Sequence, residues 1–477
     1  MRLDRSRPHH DTRNVRYGNV IEEQMPERAA ERDWPQPARA WYVVAVLTLA
    51  YIVAVIDRQI LSLLVEPVQR DLGINDTAFG LLHGAAFGLF YTLVGLPIAW
   101  LADRSSRRNL IAGGLLLWSL MTAACGLARS YAGLFLARMG VGVGEAALSP
   151  AVLSMLADLF PRERLSAAVS LYTSGAYWGT GIALIAGGAV VELVTRQPMA
   201  VLPLIGEVFS WQLTFFVVAV PGLLLLPFVW WIGEPRRRAG PATAAIADGT
   251  GIREFLRVHG RTLVALYAGF SLLVMVMVTV FAWAPALFMR RFGWSAGEIG
   301  LAFGLVVLCA GTAGINLGGL LTDRLVRRGI SDAPLRVGAI SALAVSVLVV
   351  AMTQAPSAGL ALAAAVLLLF AIAFPSGAGM AAVQLVVPNQ LRARMTALFV
   401  LVSNLTAMLL GPPLVGVCTD YVFRDPAALD LALALVCGIA AALCAATLAW
   451  GAGHYRRSSQ CLASGLGVGA VAMEGVT

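Results

Sequence analysis

The sequence contains no lysine: all 35 basic residues are arginine. Schiff-base chemistry, which needs a lysine amine, is thereby excluded. Charge of either sign is scarce, at 13% of 477 residues, against about a quarter in soluble globular chains. Histidine is scarcer, five in all, and His9 and His10 sit in a polar N-terminal stretch. The six cysteines form no CxxC and lie mostly in apolar segments, so neither a zinc site nor a disulfide framework is indicated. Scattered histidines, no metal-ligand spacing and no nucleophile–base pair argue against a membrane enzyme. No cofactor and no metal are expected.

What is abundant is hydrocarbon, with 58% hydrophobic residues and a mean hydropathy of +0.77. Twelve stretches of about 20 apolar residues are long enough to span a bilayer as helices. They run over 41–66, 78–102, 109–128, 132–157, 166–192, 211–232, 262–289, 297–321, 334–353, 357–386, 395–420 and 428–452. The expected fold is therefore an all-α membrane protein with the lipid bilayer as its surroundings. The formal charge of +8 does not point to nucleic acid, because the arginines cluster in short loops between spans. Loops 2–3, 4–5, 6–7, 8–9 and 10–11 are arginine-rich. The opposite loops carry only Arg70, Arg129, Arg196, Arg290, Arg291 and Arg424. Positive charge on the inside then places both termini in the cytosol.

Five segments follow: a disordered arm over 1–40, a six-helix half over 41–232, a linker over 233–261, a second half over 262–452, and a cytosolic tail over 453–477. The arm has no apolar core like that of a signal peptide. In the linker, "IREFLRVH" has the composition of a short amphipathic helix on the membrane surface. The halves echo one another. "LADRSSRR" at 101–108 and "LTDRLVRR" at 321–328 are offset by 220 residues, as in transporters built from parallel repeats.

Four charges lie inside the spans: Asp57 and Arg58 in "AVIDRQILSLL", and Arg138 and Glu145 in "ARMGVGVGEAALSP". Seven residues is close to two helical turns, so Arg138 and Glu145 share a face, about 10 Å apart. Two acids and two bases cancel, whereas any one alone would cost at least a few kcal/mol in hydrocarbon. A salt bridge between spans 1 and 4 would suffice to explain them. The sharper reading is a rearrangeable cluster: burial raises a carboxyl pKa and a nearby arginine lowers it, so moving an arginine changes proton affinity. Asp57 and Glu145 would then exchange protons, the expected coupling ion. Shifted by 220, Asp57 falls on Met277 and the other charges fall in apolar runs. The second half offers instead the Met- and aromatic-rich "FSLLVMVMVTVFAWAPALF", including Met277 and Trp283. As a cavity wall facing a charged one, this stripe would suit a small amphiphile with an anionic or zwitterionic head; it serves equally as lipid-facing or helix-packing surface. Tyr172, Tyr177, Gln384 and Asn404 are further candidates for the cavity lining, and His83 falls near the outer interface.

The repeated G-x-L-x-D-R-x-x-R-R loop resembles the signature of the major facilitator superfamily. It is complete at Gly319, Leu321, Asp323, Arg324, Arg327 and Arg328. The first copy has Asp103, Arg104, Arg107 and Arg108 but departs at Ala99 and Ser106. The resemblance implies that these loops latch a cytosolic gate. The run R-x-x-G-x-G-E-A in span 4, with Asp-Arg in span 1, is similar to the spinster branch, which includes lysolipid and sphingosine-phosphate transporters. That resemblance implies a substrate-head and proton site at Asp57, Arg58, Arg138 and Glu145, a lipid-like cargo, a monomer, and a bacterial inner (plasma) membrane. The organic anion:cation symporter branch carries similar runs, so a proton-coupled carrier of a small organic anion such as a sugar acid stands as the alternative. Paired gate motifs in two halves argue for alternating access rather than a channel.

Overall fold

The computed structural model describes residues 34–194, 199–202, 206–237, 249–387 and 389–463. Most of the expected N-terminal arm, the middle of the linker and the end of the tail lie outside these residues.

Twelve helices are long and apolar enough to cross a membrane. In the first half they are α1 (Pro37–Leu63), α2 (Asp76–Ala102), α3 (Arg107–Cys125), α4 (Tyr131–Leu159), α5 (Ala167–Val194) and α6 (Ser210–Trp231). In the second they are α7 (Phe255–Phe292), α8 (Ala296–Arg327), α9 (Ala333–Thr353), α10 (Ala358–Val386), α11 (Arg394–Phe423) and α12 (Pro426–Gln460). Each coincides with one expected stretch. Successive spans alternate in direction, so α1 starts and α12 finishes at the same end, called here the termini end. At the other end, between α5 and α6, β1 (Met199–Leu202) and β2 (Gly206–Phe209) form an antiparallel hairpin with Met199 opposite Phe209. This hairpin was not anticipated from the sequence, and it gives the hairpin end its name.

One expectation is corrected. "IREFLRVH" is not a separate surface helix: a single helix runs Gly249–Phe292, so this segment leads straight into α7. Only Gly260 interrupts good helix formers there, and one glycine costs about 1 kcal/mol, too little to end a helix held by tertiary packing. Likewise α12 belongs to a helix that continues to Ala463, past the expected start of the tail.

The offset of 220 recurs in the capping chemistry. Gly73 (φ 63°) and Gly293 (φ 67°) occupy the left-handed region after the helices that precede α2 and α8, where glycine is favoured. Asn75 and Ser295 then cap the next helix, accepting from Ala78 N–H and Glu298 N–H.

At the hairpin end the halves meet through small residues. Gly80 and Gly84 of α2 bring its backbone against Pro412 and Met408 of α11, leaving no space for a Cβ. Gly188 and Gly300 do the same for α5 and α8. Toward the termini end the halves separate around a cavity. On the outer surface, Trp100, Trp230, Trp231 and Trp450 are exposed near that end. Arg104 lies over the Trp100 ring at 3.9 Å and Arg108 over Trp230 at 5.2 Å, the arrangement expected where hydrocarbon gives way to headgroups.

Candidate functional site

The four intramembrane charges meet at local irregularities in their helices. Just past Asp57 and Arg58, α1 tightens into a 3-10 turn over Leu61–Leu63, and α4 breaks after Glu145 before resuming at Leu148. Arg58 Nε donates to Glu145 Oε2 at 2.6 Å. Arg138 Nη1 lies 3.7 Å from Asp57 Oδ1 and donates to the Asp57 carbonyl at 3.3 Å. Thr122 on α3 donates its hydroxyl to Asp57 Oδ2. The pairs therefore link α1 to α4, with α3 steadying the second. Phe87 on α2 lies between the two guanidinium groups, 4.8 Å from Arg58 and 5.6 Å from Arg138, and Tyr91 lies 4.9 Å from Arg58. Neither ring was singled out from the sequence, although "AFGLFY" offered the signal.

The cluster is neutral but incompletely satisfied. Asp57 Oδ1, Glu145 Oε1 and Arg138 Nε are buried without a hydrogen-bond partner among the described residues. Such atoms are rare in finished cores. They keep unused hydrogen-bonding capacity, and the two carboxylate oxygens can each accept a proton. Access is uneven: the Arg58 side chain is 23% exposed, whereas Glu145 is fully covered. Arg58 is thus the member that a ligand can reach.

A cavity of about 690 Å³ opens between the halves beside this cluster. That is well within the range of small-molecule sites. The first half lines it with Tyr91, Thr92 and Ser149, the second with Gln384, Thr396 and Asn404, and Arg392 completes it near the start of α11. Apolar stretches of wall come from Leu96, Leu153, Val400 and Leu401. Tyr91 is shared: it lines the cavity and underlies Arg58.

The sequence-derived lining candidates divide. Gln384 and Asn404 are at the wall. Tyr172 is one layer behind, its hydroxyl 3.1 Å from Ser149 Oγ and its ring stacked on Tyr51. Tyr177 reaches across the halves to Ser376, with oxygens 3.5 Å apart. Met277 and Trp283 do not line the cavity. Trp283 is fully buried and donates Nε1–H to Pro412 O at 3.1 Å, while Met277 packs half-buried against the core. The α7 stripe packs against α11 and α12, the helix-packing alternative, and the second-half wall of the cavity is the more polar face of α10 and α11. His83 is buried rather than interfacial, beside Phe79, with Nδ1 unpartnered among the described residues.

Among the described residues the signature loops are not joined across the halves. Arg107 is 1% exposed and is held by Asp158 and by Ser154 O at 3.1 Å within the first half, and by Glu234 at the start of the linker at 2.9 Å. Ser106, just before Arg107 of the signature, caps α3 and donates to Glu234 at 2.9 Å. Burial alone would raise the Glu234 carboxyl. The Arg108 N–H, Arg107 and Ser106 together outweigh it and hold that pKa below the usual range. Arg237 closes off α2 by donating to the carbonyls of Ala102 and Ser105 at 2.7 Å each, and to that of Asp103. Asp323, Arg324, Arg327 and Arg328 make no side-chain bond to the first half among the described residues, as suits an open termini end.

Cross-half charge pairing is found instead at the hairpin end. Arg290 of the second half binds Asp76 through two bonds of 2.8 and 2.9 Å, Glu66 at 2.6 Å and Gln69 at 2.8 Å, all in the first half. Asp420 on α11 accepts from Thr77 N–H at 2.7 Å and from its hydroxyl at 2.5 Å. From the sequence, Arg290 read only as a sparse outer-loop charge.

Known proteins carry the same organisation. The profile of the Major Facilitator Superfamily matches residues 47–412. An MFS-type efflux pump of Mycolicibacterium smegmatis is 30% identical over 306 residues, 64% of this chain and 68% of that one. A probable galactarate/D-glucarate transporter of Bacillus subtilis is 26% identical over 321 residues, covering 61% and 66%. Protein spinster homolog 1 of Homo sapiens is 28% identical over 316 residues, covering 61% and 56%, so the chain spans little more than half of that relative. Among solved structures, a bacterial homologue of the human lysosomal transporter spinster, inward-facing and unoccupied, superposes with a TM-score of 0.72 at 24% identity. That match covers 89% of this chain and 98% of the other. With the profile spanning most of the sequence and twelve helices in two halves, the chain belongs to the Major Facilitator Superfamily.

Proposed function

We propose that this protein is a proton-coupled secondary transporter of an amphiphile with an anionic or zwitterionic head, working by alternating access, with the termini end cytosolic. The observation that carries the reading is Arg58. It alone of the four buried charges is appreciably exposed, it is shared with Glu145, and it stacks on a ring that lines the cavity. A head group that draws Arg58 away leaves Glu145 without its cation. An acid in that position in a low-dielectric site takes up a proton. Binding and protonation are then linked at one residue pair. Leucine and valine along the wall offer a path for an acyl chain, and the relatives named as spinster proteins are consistent with it.

A second reading rests on a specific observation: Gln384, Thr396, Asn404 and Arg392 make the second-half wall more polar than the sequence suggested. That favours a small organic anion, and a relative named as a galactarate/D-glucarate transporter points the same way.

The test is uptake of labelled lysophospholipid and, in parallel, of labelled D-glucarate into proteoliposomes, with and without an imposed pH gradient. Saturable, gradient-dependent lysolipid uptake that is abolished in Glu145→Gln supports the first reading. Glucarate uptake alone moves the assignment to the second. Uptake indifferent to the gradient and to Glu145→Gln removes proton coupling.

A further inference from the structure

Gln59 follows the Asp57–Arg58 pair, yet its side chain engages the other half. Its amide Nε2 donates to the Phe281 carbonyl on α7 at 2.8 Å and to Ser62 Oγ at 3.0 Å. Ser62 donates its hydroxyl back to the Gln59 carbonyl at 2.8 Å. Gln59 is 7% exposed and Ser62 is fully buried.

The reason that Phe281 has a free carbonyl lies four residues on. In a regular helix that oxygen would accept from residue 285, which is a proline and has no N–H. In hydrocarbon a vacant carbonyl must find a donor. On the neighbouring turn the Thr279 hydroxyl is committed to Met275 O. The donor comes from α1. Beside it, Phe79 of the first half packs edge-on against Trp283 of α7, with centroids 5.7 Å apart, so this is a true half–half contact.

We infer that Gln59 is a positioning residue that couples the charge cluster to closure of the hairpin end. The vacant Phe281 carbonyl fixes the charged turn of α1 to α7 while the halves are closed there. One peptide unit separates Gln59 from Arg58. A change in the Arg58–Glu145 pair is therefore transmitted to the contact that must break when the hairpin end opens. The inference concerns the alternation of states and does not depend on the identity of the cargo.

The test uses the full-length chain in lipid nanodiscs, with its own cysteines replaced and spin labels at Arg70 and Tyr421. These are exposed positions at the hairpin end of the two halves. Distance distributions then read the share of molecules with that end open, without any substrate. Gln59→Leu is expected to raise that share about fivefold, the weight of one buried neutral hydrogen bond. Pro285→Ala returns a backbone N–H to Phe281, and in that background Gln59→Leu should add less than about twofold. Glu145→Gln, which frees Arg58, should shift the distribution more in the parent chain than in Gln59→Leu. An unchanged distribution in Gln59→Leu, full additivity with Pro285→Ala, or an equal response to Glu145→Gln overturns the inference. Should Gln59→Leu fail to fold, Gln59→Asn keeps the amide but shortens its reach. Paired with Pro285→Ala it makes the same comparison, and no shift in either variant overturns the inference as well.

Discussion

At the hairpin end Arg290 of the second half is held by Glu66, Gln69 and Asp76 of the first, whereas at the termini end Arg107 is held by Asp158 of its own half and by Glu234 at the start of the linker. Both arginines are anchored by two carboxylates, so the number of ion pairs does not separate the two ends. What differs is whether the bonds cross the plane between the halves. Under the proposed alternating access, bonds that cross would break in each cycle and tune the balance between states. Bonds that do not cross would instead stiffen one half as a unit. The same comparison explains the small residues: glycine brings α2 against α11 where the halves are closed, while the corresponding reach of α2 near Ala99 faces the cavity.

Removing the crossing hub should have the largest effect. Arg290→Ala leaves Asp76 buried and unpaired, which should cost the closed hairpin end roughly 3 kcal/mol and shift the state balance about a hundredfold, readable as label-to-label distance across that end. Arg107→Ala removes a comparably buried partner at the termini end. It should lower thermal stability by about 3 kcal/mol yet leave the hairpin-end distances unchanged. If Arg107→Ala opens the hairpin end as Arg290→Ala does, the distinction between the ends fails. Thr77→Val deletes the hydroxyl bond to Asp420 but keeps the N–H bond. About 1 kcal/mol of closure should be lost, visible as a partial opening in the same measurement.

Smaller effects probe the open end. Asp323→Asn touches no cross-half bond among the described residues, so the unfolding free energy should move by less than about 0.5 kcal/mol. If the signature loops latch the alternate state, net uptake should nevertheless slow. The Glu234 pKa is depressed in the folded protein, so its contribution is present above the ordinary glutamate range and is lost only as pH falls below that range. Melting curves of the parent and Glu234→Gln should differ at pH 7 and pH 5 and converge in stronger acid.

The sequence revealed whatever is local or periodic. Apolar length marked the twelve spans, the paired loops marked the duplication, and seven-residue spacing placed Arg138 and Glu145 on one helical face. Their partners followed from the need for neutrality in hydrocarbon. What stayed hidden depends on contacts over long sequence distance. Arg290 finds Asp76 some 214 positions away, and nothing near "MRRFGW" announces it. Phe281 becomes an acceptor only through a proline four residues later, and its donor sits on another helix. The Met and aromatic stripe of α7 stayed ambiguous because a greasy face reads the same whether it borders a cavity or packs against two neighbouring helices. "IREFLRVH" misled because amphipathic composition does not reveal whether a helix stops before the membrane.

The neutrality of Asp57, Arg58, Arg138 and Glu145 has an electrical consequence. A cluster with no net charge can be carried through the membrane field without moving charge of its own, so voltage acts only on what is bound there. With one proton per cycle, a cargo bearing a single negative charge would pass silently. A zwitterion would draw current. A solid-supported-membrane recording would then identify the charge of the cargo before its structure is known.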